Sequence, residues 1–195
     1  GKSTLSTNVA AHYATQGARV MLGDIDRQQS ARHWLALRSP LLAPISGWDI
    51  EPDLPARPPR GTTHVVIDTP AGLRGKRLET MLRSVDRILV PVQTEFLALK
   101  GLERMMKTFE IMQRSKRDKF RYTVIPTMFD KRTRASLMTL QSIKEQYGEA
   151  VWNAVIPIDT KFRDASLLHI PPSIYAPGSR GTYAYETLLN HLDAL

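Results

Sequence analysis

The residues with the most chemistry in this chain are its first four, Gly1-Lys2-Ser3-Thr4. They match the end of a phosphate-binding loop, G-x-x-x-x-G-K-[ST], whose first half would precede Gly1. In such a loop backbone N–H groups surround phosphate oxygens, the lysine brings a point charge to the β- and γ-phosphates, and the next hydroxyl ligates Mg²⁺. A helix starting there turns its positive end to the same anion. Alone, these residues also fit a helix start at which Ser3 or Thr4 is merely a cap. Two acidic stretches decide the matter. Asp24-Ile-Asp26-Arg-Gln-Gln-Ser30 follows the apolar run that starts at Arg19, so its acids at i and i+2 sit at a strand's carboxyl end, where open parallel sheets bind ligands. One acid can orient a water or accept its proton, while the other holds the loop or a metal-bound water. Asp26 can also serve as the cap of a helix over residues 27–38. His64-Val-Val-Ile-Asp68 is a second apolar run ending in an acid, placed to hold Mg²⁺ directly or through water. Pro70-Ala71-Gly72 cannot continue that strand. Gly72 would let a backbone N–H approach the γ-phosphate, making the loop a sensor of hydrolysis.

The elements that must position these groups follow from periodicity. The spacing predicts a helix over 3–16, with Leu5, Val9, Ala10 and Tyr13 on one face and Gly17 as its stop. Strands follow over 19–24, 64–68, 86–92, 120–126 and 151–156. Helices are predicted over 27–38, 74–83, 100–114, 133–147 and 182–192. In the 100–114 helix, Leu102, Met105, Met106, Phe109 and Met112 face inward. Strands alternating with helices make an α/β fold, a mostly parallel sheet with helices on both faces. Its first strand would lie before Gly1 and is lacking from this chain. The length fits one domain over 1–195, truncated at its N-terminus. Residues 39–61 hold Pro40, Pro44, Pro52, Pro55, Pro58 and Pro59 and read as irregular surface chain, pinned to the body by Trp48.

The chain has no cysteine, which removes disulfides, thiolate metal sites and iron–sulfur clusters and fits a reducing compartment. With no long apolar run and no leader pattern, a cytoplasmic protein without a stable membrane anchor is expected. A net charge of +8 favours an acidic partner, nucleic acid first. The basic residues are clustered. Lys100, Arg104, Lys107, Arg114, Lys116, Arg117, Lys119 and Arg121 fall in one helix and the turn after it, followed by Lys131, Arg132 and Arg134. Lys161, Arg163 and Arg180 form a C-terminal group. Neither a helix-turn-helix nor an aromatic-and-basic pattern stands out, which favours phosphate contacts without base readout. The first cluster reads equally well as a solvated helix face.

With those residues in place, nearly the whole chain resembles the ParA/MinD group of deviant Walker A ATPases, and ParA more than MinD. Gly1-Lys-Ser-Thr with Asn8-Val-Ala resembles the family's loop and first helix. Asp24 to Ser30 resembles D-x-D-P-Q-x-S, with Arg27 where proline is usual. Ile67-Asp-Thr-Pro-Ala-Gly72 resembles its second acidic motif and switch. Val90-Pro to Leu102 and Pro126-Thr-Met-Phe-Asp-Lys-Arg-Thr133 are similar to ParA segments. So is the tail from Ile156 to Tyr185, with Asp164-Ala165 where Glu-Ala is usual. The resemblance implies a three-layer P-loop NTPase-like fold that binds ATP with Mg²⁺, forms an ATP-dependent homodimer, binds double-stranded DNA nonspecifically and hydrolyses ATP slowly. A cargo-bound partner protein would stimulate it, and the nucleoid-associated cycle would segregate a plasmid or chromosome or position a large cytoplasmic assembly. It assigns Lys2 to the phosphates, Ser3 to Mg²⁺, Thr4 to the α-phosphate, Asp24 to the attacking water, Asp26 to a switch and Asp68 to the metal. Gly1 completes the loop, and Thr127 and Met128 lie near the base or the dimer face. Lys161, Arg163 and Arg180 would contact DNA. The family's second loop lysine falls before Gly1, so this polypeptide alone is expected to bind ATP poorly. A scaffold without hydrolysis stays open. A MinD-like membrane helix is disfavoured because residues 188–195 carry no Lys or Arg. The cargo is not legible in the residues.

Overall fold

The structure, a computed structural model, describes residues 1–51, 57–114 and 120–195. It has two compact units, Lys2–Thr80 with Asp159–Leu195, and Met81–Ile158. The boundary at Thr80 falls inside helix α3 (Gly75–Ser84).

The first unit is built on a three-stranded parallel sheet in the order β2-β1-β3, from β1 (Val20–Asp24), β2 (Ile45–Trp48) and β3 (His64–Asp68). Val20, Leu22 and Gly23 are buried, so residues from both faces of β1 are covered, as the middle strand of a parallel sheet requires. Helix α1 (Lys2–Thr15) buries Leu5, Val9, Ala10, Ala11 and Ala14 against it, and Trp34 of α2 (Ser30–Ala36) joins the same core. Tyr13, expected on the buried face, is only half-buried. Its ring stacks on His64 with centroids 4.3 Å apart, and its hydroxyl donates to Asp193 over 2.8 Å. The segment expected to be irregular contains β2, whose four residues lie in the proline-free gap between Pro44 and Pro52 and pair with Val20–Gly23. Residues 52–56, with Pro52 and Pro55, lie outside the described residues. Helix α6 (Lys161–Leu167) and the single turn α7 (Pro172–Tyr175) precede the last helix, α8 (Arg180–Asp193).

The second unit pairs β4 (Arg87–Gln93) with β5 (Arg121–Thr127) in parallel, from Arg87↔Arg121 to Gln93↔Thr127. Helix α4 (Phe96–Arg114) buries Leu102, Met106, Phe109 and Met112, and Met105 stays partly exposed. Thr133 caps α5 (Arg134–Tyr147), which ends at Gly148. The strand expected over 151–156 does not form. Trp152 N–H and Ile156 N–H donate to Val124 and Pro126, but the chain bends between them, leaving only isolated bridges at Val151 and Pro157. Burial of Trp152, 1% exposed, anchors this stretch instead.

One carboxylate ties the C-terminal helices of the first unit together. Asp159 accepts from Lys161 N–H at the start of α6 over 3.0 Å and from Gly181 N–H at the start of α8 over 2.9 Å. Both helix ends favour the negative charge. Partial burial works upward on the Asp159 carboxyl, but those N–H bonds, the Ser179 hydroxyl and Arg180 outweigh it and hold it below the usual aspartate value. A Cβ on Gly181 would collide with the ring of Phe162. Gly181→Ala is therefore expected to destabilise the fold by about 1–3 kcal/mol. Gly178→Ala, where a Cβ meets nothing within 4 Å, is expected to leave the thermal midpoint unchanged.

Candidate functional site

The parallel register of β1 and β3 sets Asp24 opposite Asp68, so two carboxylates leave the sheet at one level. Helix α1 begins at Lys2, beside them in the same unit. Ser3 Oγ donates to Asp68 Oδ2 over 2.6 Å. Asp68 is 1% exposed, and its Oδ1 has no hydrogen-bond partner among the described residues. Burial pushes the Asp68 carboxyl above its ordinary value. The Ser3 hydrogen bond lowers it, Asp24 raises it, and Lys2 and the Ser6 hydroxyl lower it. A buried carboxylate with one oxygen orphaned beside a serine hydroxyl is a hard oxygen donor set suited to Mg²⁺, and the residues present fit that ion. Thr4 faces a cleft of about 240 Å³ lined also by Ser3, Thr7, Asn8, Trp34 and Phe162.

The acids at positions 24 and 26 carry different loads. Asp24 Oδ1 accepts from Asp26 N–H over 3.0 Å. Its Oδ2 accepts from Ala31 N–H over 2.9 Å and Arg32 N–H over 3.1 Å. Asp24 thus anchors the first turn of α2 across the loop, the task sequence reasoning offered to Asp26. Helix α2 accordingly starts at Ser30 and not at Arg27, after Gln29 in the left-handed region at φ 48°. Asp26 Oδ1 accepts from Gln28 N–H over 3.0 Å, while its Oδ2 makes no hydrogen bond among the described residues. Ile25 N–H donates to the Asp68 carbonyl over 3.0 Å, which joins this loop to the end of β3. Pro70 is half-buried, Ala71 and Gly72 are exposed, and Leu73 N–H closes their turn on the Pro70 carbonyl over 3.3 Å. A Cβ on Gly72 would meet nothing nearer than Arg74 at 4.0 Å, so the space beside it is open.

Thr127 and Met128 belong to the other unit. Thr127 is buried, its hydroxyl donating to the Val92 carbonyl over 3.2 Å, and Met128 takes a left-handed φ of 54°. Thr94, which sequence reasoning passed over, holds this turn. It is 1% exposed, its hydroxyl lies 2.6 Å from Ser136 Oγ, and its backbone N–H donates to Thr127 O. Lys161 and Arg180 flank Asp159 at the starts of α6 and α8, and all three C-terminal cations are exposed. Lys161 Nζ is also 3.9 Å from Asp164. In the α4 cluster, Lys100 pairs with Glu103 at 3.3 Å and Arg114 with Glu110 at 2.7 Å, as on a solvated helix face. Lys116, Arg117 and Lys119 lie outside the described residues. No described helix is long and apolar enough to cross a membrane. Asp159 was invisible in the sequence because a cap shared by two helices has no local spacing.

This geometry can be set beside known proteins. The profile of the CobQ/CobB/MinD/ParA nucleotide binding domain matches residues 1–172. The chain belongs to this family. Within it, the likeness to partition proteins spans the chain. The chromosome-partitioning ATPase Soj of Thermus thermophilus is 27% identical over 227 residues, covering all of this chain and 91% of that protein. The sporulation initiation inhibitor Soj of Bacillus subtilis is 26% identical over 239 residues, covering all of this chain and 94% of that protein. Among solved structures, a McdA–ATP complex from Cyanothece superposes with a TM-score of 0.77 at 14% identity, over all of this chain and 92% of that one. The cell division ATPase MinD of Pyrococcus furiosus gives 0.74 at 19% identity, over all of this chain and 93% of that one. These likenesses show a ParA/MinD-type P-loop NTPase fold.

The burial of Asp68 carries a stability consequence. A carboxyl raised in the folded state adds no penalty below the ordinary aspartate value of about 3.9, and its penalty grows as pH rises through the folded value. Asp68→Asn, which keeps an acceptor for Ser3, is therefore expected to stabilise the nucleotide-free protein at neutral pH. The gain should vanish near pH 4 in chemical denaturation followed across pH.

Proposed function

We propose that this chain is the catalytic body of a ParA-type ATPase that binds ATP with Mg²⁺, dimerises, binds duplex DNA without sequence preference and hydrolyses ATP slowly. Its partner would be a stimulating protein on the cargo. That cargo is a plasmid, a chromosome or a large assembly positioned along the nucleoid. The observation that carries the reading is the bond from Ser3 to the buried Asp68, with one carboxylate oxygen orphaned among the described residues, level with the start of the Asp24–Asp26 loop. The family match and the likeness to Soj support it.

In this reading Lys2 and the first N–H groups of α1 hold the phosphates, and Thr4 lies along the α-phosphate. Ser3 and Asp68 would hold Mg²⁺, which when bound offsets charge on the β- and γ-phosphates. The two acids divide their work by hydrogen-bond load. Asp24 has both oxygens engaged by backbone N–H groups and keeps the loop in place. Asp26 has an oxygen to spare and orients the attacking water. The water attacks the γ-phosphorus, its bond to the β-phosphate oxygen breaks, and Asp26 takes up or relays the released proton. Pro70–Gly72 follows Asp68 and senses loss of the γ-phosphate.

In full-length protein Lys2→Ala is expected to lose ATP binding, because its charge acts on the ground state. Asp26→Asn should bind ATP normally and lose turnover by roughly a hundredfold or more, because its role is confined to the transition state. Equal ATP affinity in wild type and Lys2→Ala would remove the premise of the site.

The DNA surface is assigned to Lys161, Arg163 and Arg180 and not to α4, since two of the α4 cations are engaged by acids on their own helix. Duplex binding should require ATP, through dimer avidity, and weaken with salt by roughly one unit of log–log slope per phosphate contact. Changing Arg163 and Arg180 to Glu should abolish it and leave ATP-driven dimerisation intact. Wild-type DNA affinity in that double variant would move the assignment elsewhere.

A further inference from the structure

The chain just after β2 lies against the acidic loop. Gly23, the residue before Asp24, is paired with Trp48 in the ladder, and the side chain of Ile50, two residues on, lies against Gly23. A Cβ on Gly23 would collide with Cδ1 of Ile50, so the absence of a side chain at 23 is what admits Ile50. Gly23 is buried and Ile50 half-buried, so this is a packed contact and not a grazing one. The neighbouring Asp49 reaches the first turn of α2, with Oδ1 3.0 Å from Arg32 Nη1. Arg32 is one of the two residues whose backbone N–H groups bind Asp24 Oδ2, and Asp24 Oδ1 in turn receives Asp26 N–H. A continuous set of contacts therefore runs from Trp48–Ile50 through Gly23 and Arg32 to Asp24, and from Asp24 to the backbone of Asp26.

We propose that Trp48–Ile50 is a positioning strap for the Asp24–Asp26 loop, with Ile50 as a positioning residue for hydrolysis. The inference rests on the ATPase reading and assigns a role to the proline-flanked stretch, for which the sequence offered none. Its physical basis is that a loop holding a reacting group needs support on more than one side. Asp26 hangs from Asp24, and Asp24 is held by the first turn of α2. The Arg32–Asp49 ion pair joins that turn to the strap with side chains 54% and 83% exposed, so it contributes little by itself. The Ile50 contact on Gly23 supplies the larger share, because it is apolar and close-packed against a buried residue. Loosening the strap should leave ground-state nucleotide binding in place, since that depends on Lys2 and α1. It should disturb only the placement of Asp26.

Two measurements on full-length protein test this. The first is amide hydrogen exchange at Ala31 and Arg32 without nucleotide, which reads the hold of Asp24 on α2 independently of turnover. The second is the split between kcat and KM for ATP. Ile50→Ala is expected to speed exchange at both amides and to lower kcat by roughly tenfold with KM little changed. Ile50→Val should restore most of both. Gly23→Ala, which crowds the Ile50 side chain, should change both in the same direction as the alanine variant, and Asp49→Asn should give a smaller change in that direction. If Ile50→Ala does not fold, Gly23→Ala and Asp49→Asn carry the same readouts. Unchanged exchange at Ala31 and Arg32, or wild-type kcat in a folded Ile50→Ala or Gly23→Ala protein, overturns the proposal. A wild type without turnover whose strap variants still release those two amides would overturn the ATPase reading and uphold the strap.

Discussion

The site depends on one constraint, the burial of the Asp68 carboxyl at the end of β3 with only half of its hydrogen-bonding capacity satisfied. Ser3 serves one oxygen and nothing among the described residues serves the other. A buried acceptor left unpaired costs about 1–3 kcal/mol, and more if it is charged. The raised carboxyl value is the electrostatic expression of that cost. A fold built only for stability would place an apolar residue or a partner there. A half-satisfied acid next to a hydroxyl and a lysine is the arrangement expected of a group that pairs with a cation.

The parallel register gives this constraint its reach. Because Asp24 stands opposite Asp68, the loops leaving β1 and β3 start side by side, and Ile25 N–H on the Asp68 carbonyl fastens them together. The acids then separate by environment. Three backbone N–H bonds fix Asp24 to its own loop and to α2. Asp26 Oδ1 takes one bond, and its other oxygen has none among the described residues. The turn from Asp26 to Gln29 closes through Gln29 N–H on the Asp26 carbonyl over 3.0 Å, even though Arg27 stands where related motifs carry proline.

A second carboxylate organises the basic surface. Asp159 sits at two helix N-termini at once and lies beside Lys161 and Arg180, so the chain there is neither a bare cationic patch nor a set of independent side chains. Arg180 opens α8, where the helix field opposes a positive charge, and Asp159 offsets that opposition. Among the described residues, the basic cluster on α4 is held by pairs between residues three or four apart.

What the sequence by itself determined is everything carried by local pattern. The first helix, the strands ending in Asp24 and Asp68, α4, and α5 with its Thr133 and Gly148 ends are legible from periodicity and short motifs, because helix and strand burial repeat at fixed intervals. Tertiary structure decided the rest, for reasons that periodicity cannot carry. Strand β2 exists because four residues between prolines find an edge of β1 to pair with. The stretch 151–156 is not a strand because Trp152 is drawn into the core and the chain bends before it can pair again. The unequal hydrogen-bond loads of Asp24 and Asp26 follow from which backbone N–H groups α2 presents, and the shared cap at Asp159 joins residues 22 apart in sequence. Hydrogen-bond partners brought together by packing leave no trace in spacing, so only the folded chain could assign them.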